Sequence, residues 1–128
     1  MMLSVNKNAF TFTITAGEDL DDLTAGTGDI YKAVAVVDGQ VAANGEEASG
    51  ILVAGGKSGE FITLVGIGES KYTAGGAVTI GAQLTCASSG YITAAASGDA
   101  IVGQALEAAT SGSVVRGMFS FGTGVTLS

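Results

Sequence analysis

Phe10-Thr11-Phe12-Thr13-Ile14 alternates apolar and polar residues with a period of two, the spacing of a strand buried on one face. The signal returns along the chain. Ile30 to Val37 (I-Y-K-A-V-A-V-V) is β-branched and runs into Asp38-Gly39, a dipeptide that suits the positive φ values of a tight hairpin. Gln40-Val41-Ala42 is expected to return along it, and Asn44-Gly45 predicts a second turn. Ile51-Leu52-Val53 is a short apolar strand, after which Gly55 to Gly59 turns the chain into Glu60 to Ile67. There Phe61, Thr63, Val65 and Ile67 alternate with Ile62 and Leu64, so both faces are apolar and the strand is expected to be covered on both sides. Ala77 to Ile80, Gln83 to Cys86, Tyr91 to Thr93, Ile101 to Leu106 and Ser113 to Phe121 continue the pattern, with a turn at Ser88-Ser89-Gly90. Strands every 8–12 residues or so, separated by Gly-rich turns, predict an all-β fold: a small β-barrel or a two-layer sandwich. Helix is scarce. Ala16 to Leu23 is expected to form one turn, its acids favourable near a helix N-terminus, and Ala94-Ala95-Ala96 is too short to nucleate a helix.

Echoes along the chain suggest an internal duplication. Thr24-Ala25-Gly26 returns as Thr73-Ala74-Gly75 after 49 positions, and Gly39-Gln40-Val41 as Gly90-Tyr91-Ile92 after 51. Gly50 to Ala54 returns as Gly103 to Glu107, and Ser58-Gly59-Glu60 as Ser111-Gly112-Ser113, both after 53. The expected organisation is therefore residues 1–15 as an N-terminal extended arm or first strand, then a single β domain over 16–128. Within it the half-repeats fall at 24–68 and 73–122. Two units would pair around one core, since a solenoid needs three or more.

Composition narrows the function. Of 128 residues, Gly (21), Ala (20), Thr (13) and Ser (11) make up half, so side chains are small, yet Leu, Ile, Val and Phe still number 33, enough for a modest core. Proline, histidine and tryptophan are absent, which removes histidine acid–base chemistry, histidine metal sites and a Ser-His-Asp triad. The net charge of −7 repels phosphate backbones, so no nucleic-acid partner is expected. Residues 1–71 hold ten acids and four lysines, against two acids and one arginine in 72–128. The start of the chain lacks the apolar core of a signal peptide and no stretch of 18 apolar residues occurs. A chain made in the cytosol with no membrane partner is expected. The single Cys86 implies no oxidising compartment.

Few residues suggest chemistry. Glu18-Asp19-Asp21-Asp22 is the densest polar cluster, but it lacks the glycine and closing glutamate of a calcium loop and reads as a solvated loop or an acidic contact. Gly26-Thr27-Gly28 precedes a strand where a dinucleotide loop needs a helix. Gly55-Gly56-Lys57-Ser58 lacks the first glycine of a phosphate loop, Ile51 standing in its place. Cys86 has no histidine to activate it, and Ser58, Ser89 and Ser111 sit in no nucleophile elbow. Tyr31, Tyr72 and Tyr91 are spaced for strand faces or an interface, and Arg116 is expected in a buried ion pair, in an interface contact or plainly exposed. No catalytic, cofactor or metal site is expected, and the chain reads as a non-enzyme.

Four stretches carry a resemblance: Gly28 to Val34 (G-D-I-Y-K-A-V), Ala74 to Gly81 (A-G-G-A-V-T-I-G), the hairpin Thr85 to Ile92, and Gly98 to Ala109 (G-D-A-I-V-G-Q-A-L-E-A-A). In this order, over about residues 25–121, they resemble the small capsid decoration (cement) proteins of tailed bacteriophages. The resemblance implies a non-enzymatic virion protein on the outer surface of the head, a homo-oligomer, often a trimer, whose partner is the major capsid protein. Such a ligand stabilises an assembled lattice by mass action. Candidate capsid or subunit contacts are Phe10, Phe12 and Ile14 on the first strand or arm, with Arg116, Met118, Phe119 and Phe121 in the last strand. A competing expectation is an adhesive or carbohydrate-binding β-module of a phage tail or fibre. The low aromatic content (6%) disfavours it.

Overall fold

The computed structural model describes residues 10–24, 28–42 and 48–121, so the turn expected at Asn44-Gly45 lies outside the described residues. Among the described residues, nine strands form one antiparallel sheet, curled into a half-barrel. They are β1 (Phe10–Thr15), β2 (Ala33–Ala35), β3 (Gln40–Val41), β4 (Gly50–Ala54), β5 (Phe61–Thr73), β6 (Gln83–Cys86), β7 (Ile92–Ala94), β8 (Gly103–Ala105) and β9 (Val114–Ser120). The expected all-β class holds. The Ala16 to Leu23 segment forms no helical turn; its backbone is instead tied across to the β4–β5 connection through a Leu20–Gly56 bridge.

The spatial order is β3-β2-β4-β5-β9-β8-β6-β7, with β1 added alongside β5. This order is a palindrome about the β5–β9 contact. The match extends to single residue pairs. Val34 faces Gly50 as Leu84 faces Gly103, and Ile51 faces Val65 as Gln104 faces Met118. Thr13 faces Thr63 as Lys71 faces Arg116. The turn before the last strand repeats as well: Ala16 N donates to Glu60 O as Ala74 N donates to Ser113 O, both at 2.8 Å. Gly59 (φ 89°) and Gly112 (φ 86°) hold the same left-handed corner with no atom near the missing Cβ.

The two echoes spaced by 53 residues are thus structural. The others are displaced. The place equivalent to Thr73-Ala74-Gly75 belongs to Thr15-Ala16-Gly17, because Ala16 and Ala74 make the same turn bonds; residues 25–27 lie outside the described residues. Gly39 matches Ile92 rather than Gly90: Gly17 N donates to Gly39 O as Gly75 N donates to Ile92 O. The second hairpin is longer, its Leu84–Ala94 pair spanning ten positions where Val34–Val41 spans seven.

β5 is longer than expected because it belongs to both halves. Residues 61–67 face β1, and residues 67–73 face β9. Ile67 is the partner of both Phe10 and Ser120, so the end of β9 and the start of β1 come together at the middle of β5. Laid end to end, β9 and β1 are the counterpart of β5, opened at one point where β5 is continuous.

Each half has its own inner set. Ala16, Leu20, Val34, Leu52, Ile62 and Leu64 form one cluster. The equivalent residues Ala74, Val78, Leu84, Ala105 and Val115 sit in or against the second, larger cluster, with Gly117 in place of Leu64. Volume lost at Gly117 is recovered by Tyr72 and Phe119, whose rings lie 3.0 Å from where a Cβ at Gly117 would be. In the first half the trade is reversed: Leu64 is large, Gly66 replaces Phe119, and the Phe12 ring covers Gly66. Both cores fill, by different side chains in the same frame.

Two expectations change. β2 covers only three residues, because Tyr31 adopts φ 64° before it and residues 36–39 turn away after it, leaving Val36 and Val37 exposed. β5 is not covered on both sides: Ile62, Leu64 and Val65 are buried, but Phe61 is 77% exposed and Ile67 50%.

The closed pairing of the halves predicts a tolerated circular permutation. A chain opened between Ile67 and Gly68, with residues 122–128 joined to residues 1–9, is expected to keep the β-sheet circular dichroism spectrum. It should melt cooperatively within about 10 °C of the parent. An unfolded product would show that the two junctions are not interchangeable.

Candidate binding surface

The described residues group no three His, Cys, Asp or Glu side chains as a metal site. What the structure does gather is an apolar, solvent-facing surface where β1, β5 and β9 meet. An open groove is lined by Phe10, Phe12, Gly66, Ile67 and Phe121, with Thr11 and Ser49 at its polar margin. Phe10 is 74% exposed and Phe12 37%, although both belong to the alternating row that was expected to make contacts. The row runs from exposed Phe10 to half-buried Ile14. Ile14 packs against the Leu20–Leu52–Ile62 cluster, and exposure rises toward Phe10 as the strand leaves the core.

The C-terminal candidates divide between core and surface. Phe119 is 2% exposed: its ring meets Tyr72 edge-on (5.6 Å, 80°) and stacks on Phe121 (5.5 Å, 12°). It is a packing residue, and it carries Phe121 into the groove. Met118 is on the opposite face and exposed, directly across from Glu69. Arg116 lies on that face too, held by Glu69 (2.8 Å) and Glu107 (3.5 Å). The hydrogen bond to Glu69 and the charge of Glu107 raise the guanidinium pKa above its usual value. Both carboxylates leave Arg116 neutralised within its own sheet.

Ile67 and Phe61 escaped the sequence reading. Two apolar faces on one strand predict cover on both sides, whereas on the face of Phe61 and Ile67 only Val65, between them, is buried. The only local signal was that excess of apolar residues on a strand next to glycines.

The acidic residues also change meaning. Glu18 accepts from Val41 N, Asp19 from Ser58 N, Asp22 from Thr24 N and Asp29 from Asp22 N. Asp38 accepts from Gln40 N, Glu60 from Lys57 N, and Asp99 from Ala96 N. Asp21 pairs with Lys57 at 2.8 Å, and that hydrogen bond lowers the Asp21 pKa and raises that of Lys57. With Glu69 and Glu107 on Arg116, every carboxylate of the described residues has an internal partner. They staple loops that proline stiffens in other chains.

No protein-family model matches the chain. No curated protein matches it either. Among solved structures, the fold is similar to the N base of the head fiber gp8.5 of bacteriophage phi29. The likeness has a TM-score of 0.66 at 19% identity and covers 87% of this chain and 93% of that one. It is a likeness of fold.

Beneath the surface, Tyr72 is fully buried and its hydroxyl has no hydrogen-bond partner among the described residues. Burial, and then the charge of Glu107, raise its pKa. Because that hydroxyl loses water without gaining a partner, Tyr72→Phe is expected to stabilise the fold by about 1 kcal/mol, read as a melting point a few degrees higher. A lower melting point would show that the hydroxyl is bonded.

Proposed function

We propose that this chain is a non-enzymatic structural protein of a phage virion that binds the outer surface of the head and stabilises the capsid lattice, as a decoration or cement protein does. The observation that carries the reading is the apolar groove of Phe10, Phe12, Ile67 and Phe121, with Phe61 exposed on the same strand as Ile67. A domain with so small a core does not gain by exposing three phenylalanines; a face of this kind is stable when another surface covers it. The fold likeness to the base of a phage head fiber supports the same setting. The partner proposed is the major capsid protein, with further copies of this chain, in a trimer, completing the contact.

The start of β1 is the other half of the attachment. Among the described strands, β1 pairs with β5 alone. Its outer edge offers unpaired backbone groups beside the groove, so a capsid or sister strand can add there while its side chains cover Phe10 and Phe12. Ile14 anchors this strand from within. Met118 extends the exposed surface on the other face, and Arg116, already neutralised, contributes position and little charge. Binding only the assembled lattice, many copies shift the equilibrium away from dissociated subunits.

A second reading follows from the fold likeness: a base domain that carries an adhesive fibre on the head. It predicts a further domain on the same virion protein, where the decoration reading predicts this domain alone on the head.

Purified protein mixed with undecorated heads is expected to co-sediment with them, and Phe10→Ser with Phe12→Ser to abolish most of that binding while the circular dichroism spectrum is retained. Heads that bind neither form, or both equally, would overturn the proposal. Light scattering of the free protein reads the trimer directly.

A further inference from the structure

Among the described residues four are cationic, and two of them, Lys57 and Arg116, are held by carboxylates. Lys32 and Lys71 are not. Both instead lie against tyrosine rings: the Lys32 Nζ is 4.7 Å from the centre of the Tyr91 ring, and the Lys71 Nζ 5.9 Å from that of Tyr31. Tyr31 and Lys32 are neighbours in the chain, so the four residues make one row, Lys71–Tyr31–Lys32–Tyr91.

This row is built. Lys32 is 9% exposed, a charged side chain with neither a carboxylate partner nor a side-chain hydrogen bond among the described residues. Its ammonium is not among the buried unpartnered atoms, which are Tyr72 Oη and Thr73 Oγ1, so the buried stem delivers the charge to the surface. Tyr31 takes a left-handed backbone (φ 64°), unfavourable for a bulky aromatic residue. It is fixed there by its own N–H on Leu52 O (2.8 Å) and by Thr73 N on its carbonyl (2.9 Å). Gly75 makes room for Tyr91, since a Cβ there would crowd the Tyr91 side chain at 2.8 Å. Gly90 does the same for the Lys32 stem at 3.0 Å.

We infer that this row is a second interaction site, which takes carboxylates of an acidic segment on a partner protein. An ammonium group lies over one face of each tyrosine ring, which takes that face from a stacking sugar ring or base. The ammonium groups can only donate, the phenol hydroxyls donate as well as accept, and the complement of the ammonium pair is a group with acceptors only, a carboxylate. Among the described residues every carboxylate is engaged elsewhere and none pairs with Lys32 or Lys71. A net charge of −7 repels every anion at long range, and a long polyanion such as nucleic acid more than a short acidic segment, whose few charges lie within a Debye length of the two local cations. The row shares no residue with the apolar groove, so the inference stands or falls without the proposed function.

The test is an NMR titration of the intact protein with a tetraglutamate peptide, following the ring resonances of Tyr31 and Tyr91. The peptide is expected to shift both, saturably at millimolar concentration. Lys71→Gln, at an exposed position that leaves the fold intact, should weaken binding about tenfold, and Lys32→Met should do the same where it folds. A tetraglucuronate and an oligothymidylate serve as the competing arms. No response to the peptide, an equal response in Lys71→Gln, or a response to the sugar acid or the oligonucleotide instead would overturn the inference.

Discussion

Everything in this fold is referred to one strand. β5 runs for thirteen residues, is flanked by β1 and β4 over its first half, and pairs with β9 over its second. A strand has only two edges, so sharing one strand between two halves fixes their relative position without a linker. Because side chains alternate with period two, the registers on β5 decide which residues of both halves face inward. A slip by one residue would turn Ile62, Leu64 and Tyr72 out together and empty both cores. The bulge opposite Phe10 and Thr11 is where this register relaxes, and there the apolar groove opens.

Within that frame the two halves solve the same packing problem with different residues. Leu52 and Leu64 fill the first core; Ala105 and Gly117 leave space in the second, taken by Tyr72 and Phe119. The exchange conserves volume, which cores tolerate far better than a net gain or loss. It also has a surface consequence. With Gly66 where the second half has Phe119, the first half draws Phe12 over the sheet from β1, and Phe12 brings Phe10 with it to the rim. The groove is the visible side of an internal packing choice.

Charge follows a similar economy. Carboxylates accept from loop N–H groups at both ends of the molecule, in a chain with no proline to stiffen those loops. Acidity in this protein is therefore first a matter of loop geometry and only then of surface potential. The lysines left without carboxylates lie on tyrosines, which hold a cation without neutralising it.

Local rules in the sequence determined a good part of this. Period-two alternation at Phe10 to Ile14, β-branched runs and Gly-rich turns define the strands, and the absence of histidine removes its chemistry. The two echoes at a spacing of 53 mark positions that the two halves of the sheet pair alike, because short-range patterning survives in a single chain read from end to end. The tertiary structure alone decided the rest. That Thr15-Ala16-Gly17, and not Thr24-Ala25-Gly26, answers Thr73-Ala74-Gly75 depends on bonds to Glu60 and Ser113, more than 35 residues away. That Phe119 is core while Phe10 is surface depends on which strand lies opposite, and both read as the same apolar alternation. Alternation states that a strand has two faces; only the neighbours that arrive from elsewhere in the chain state which of them meets water.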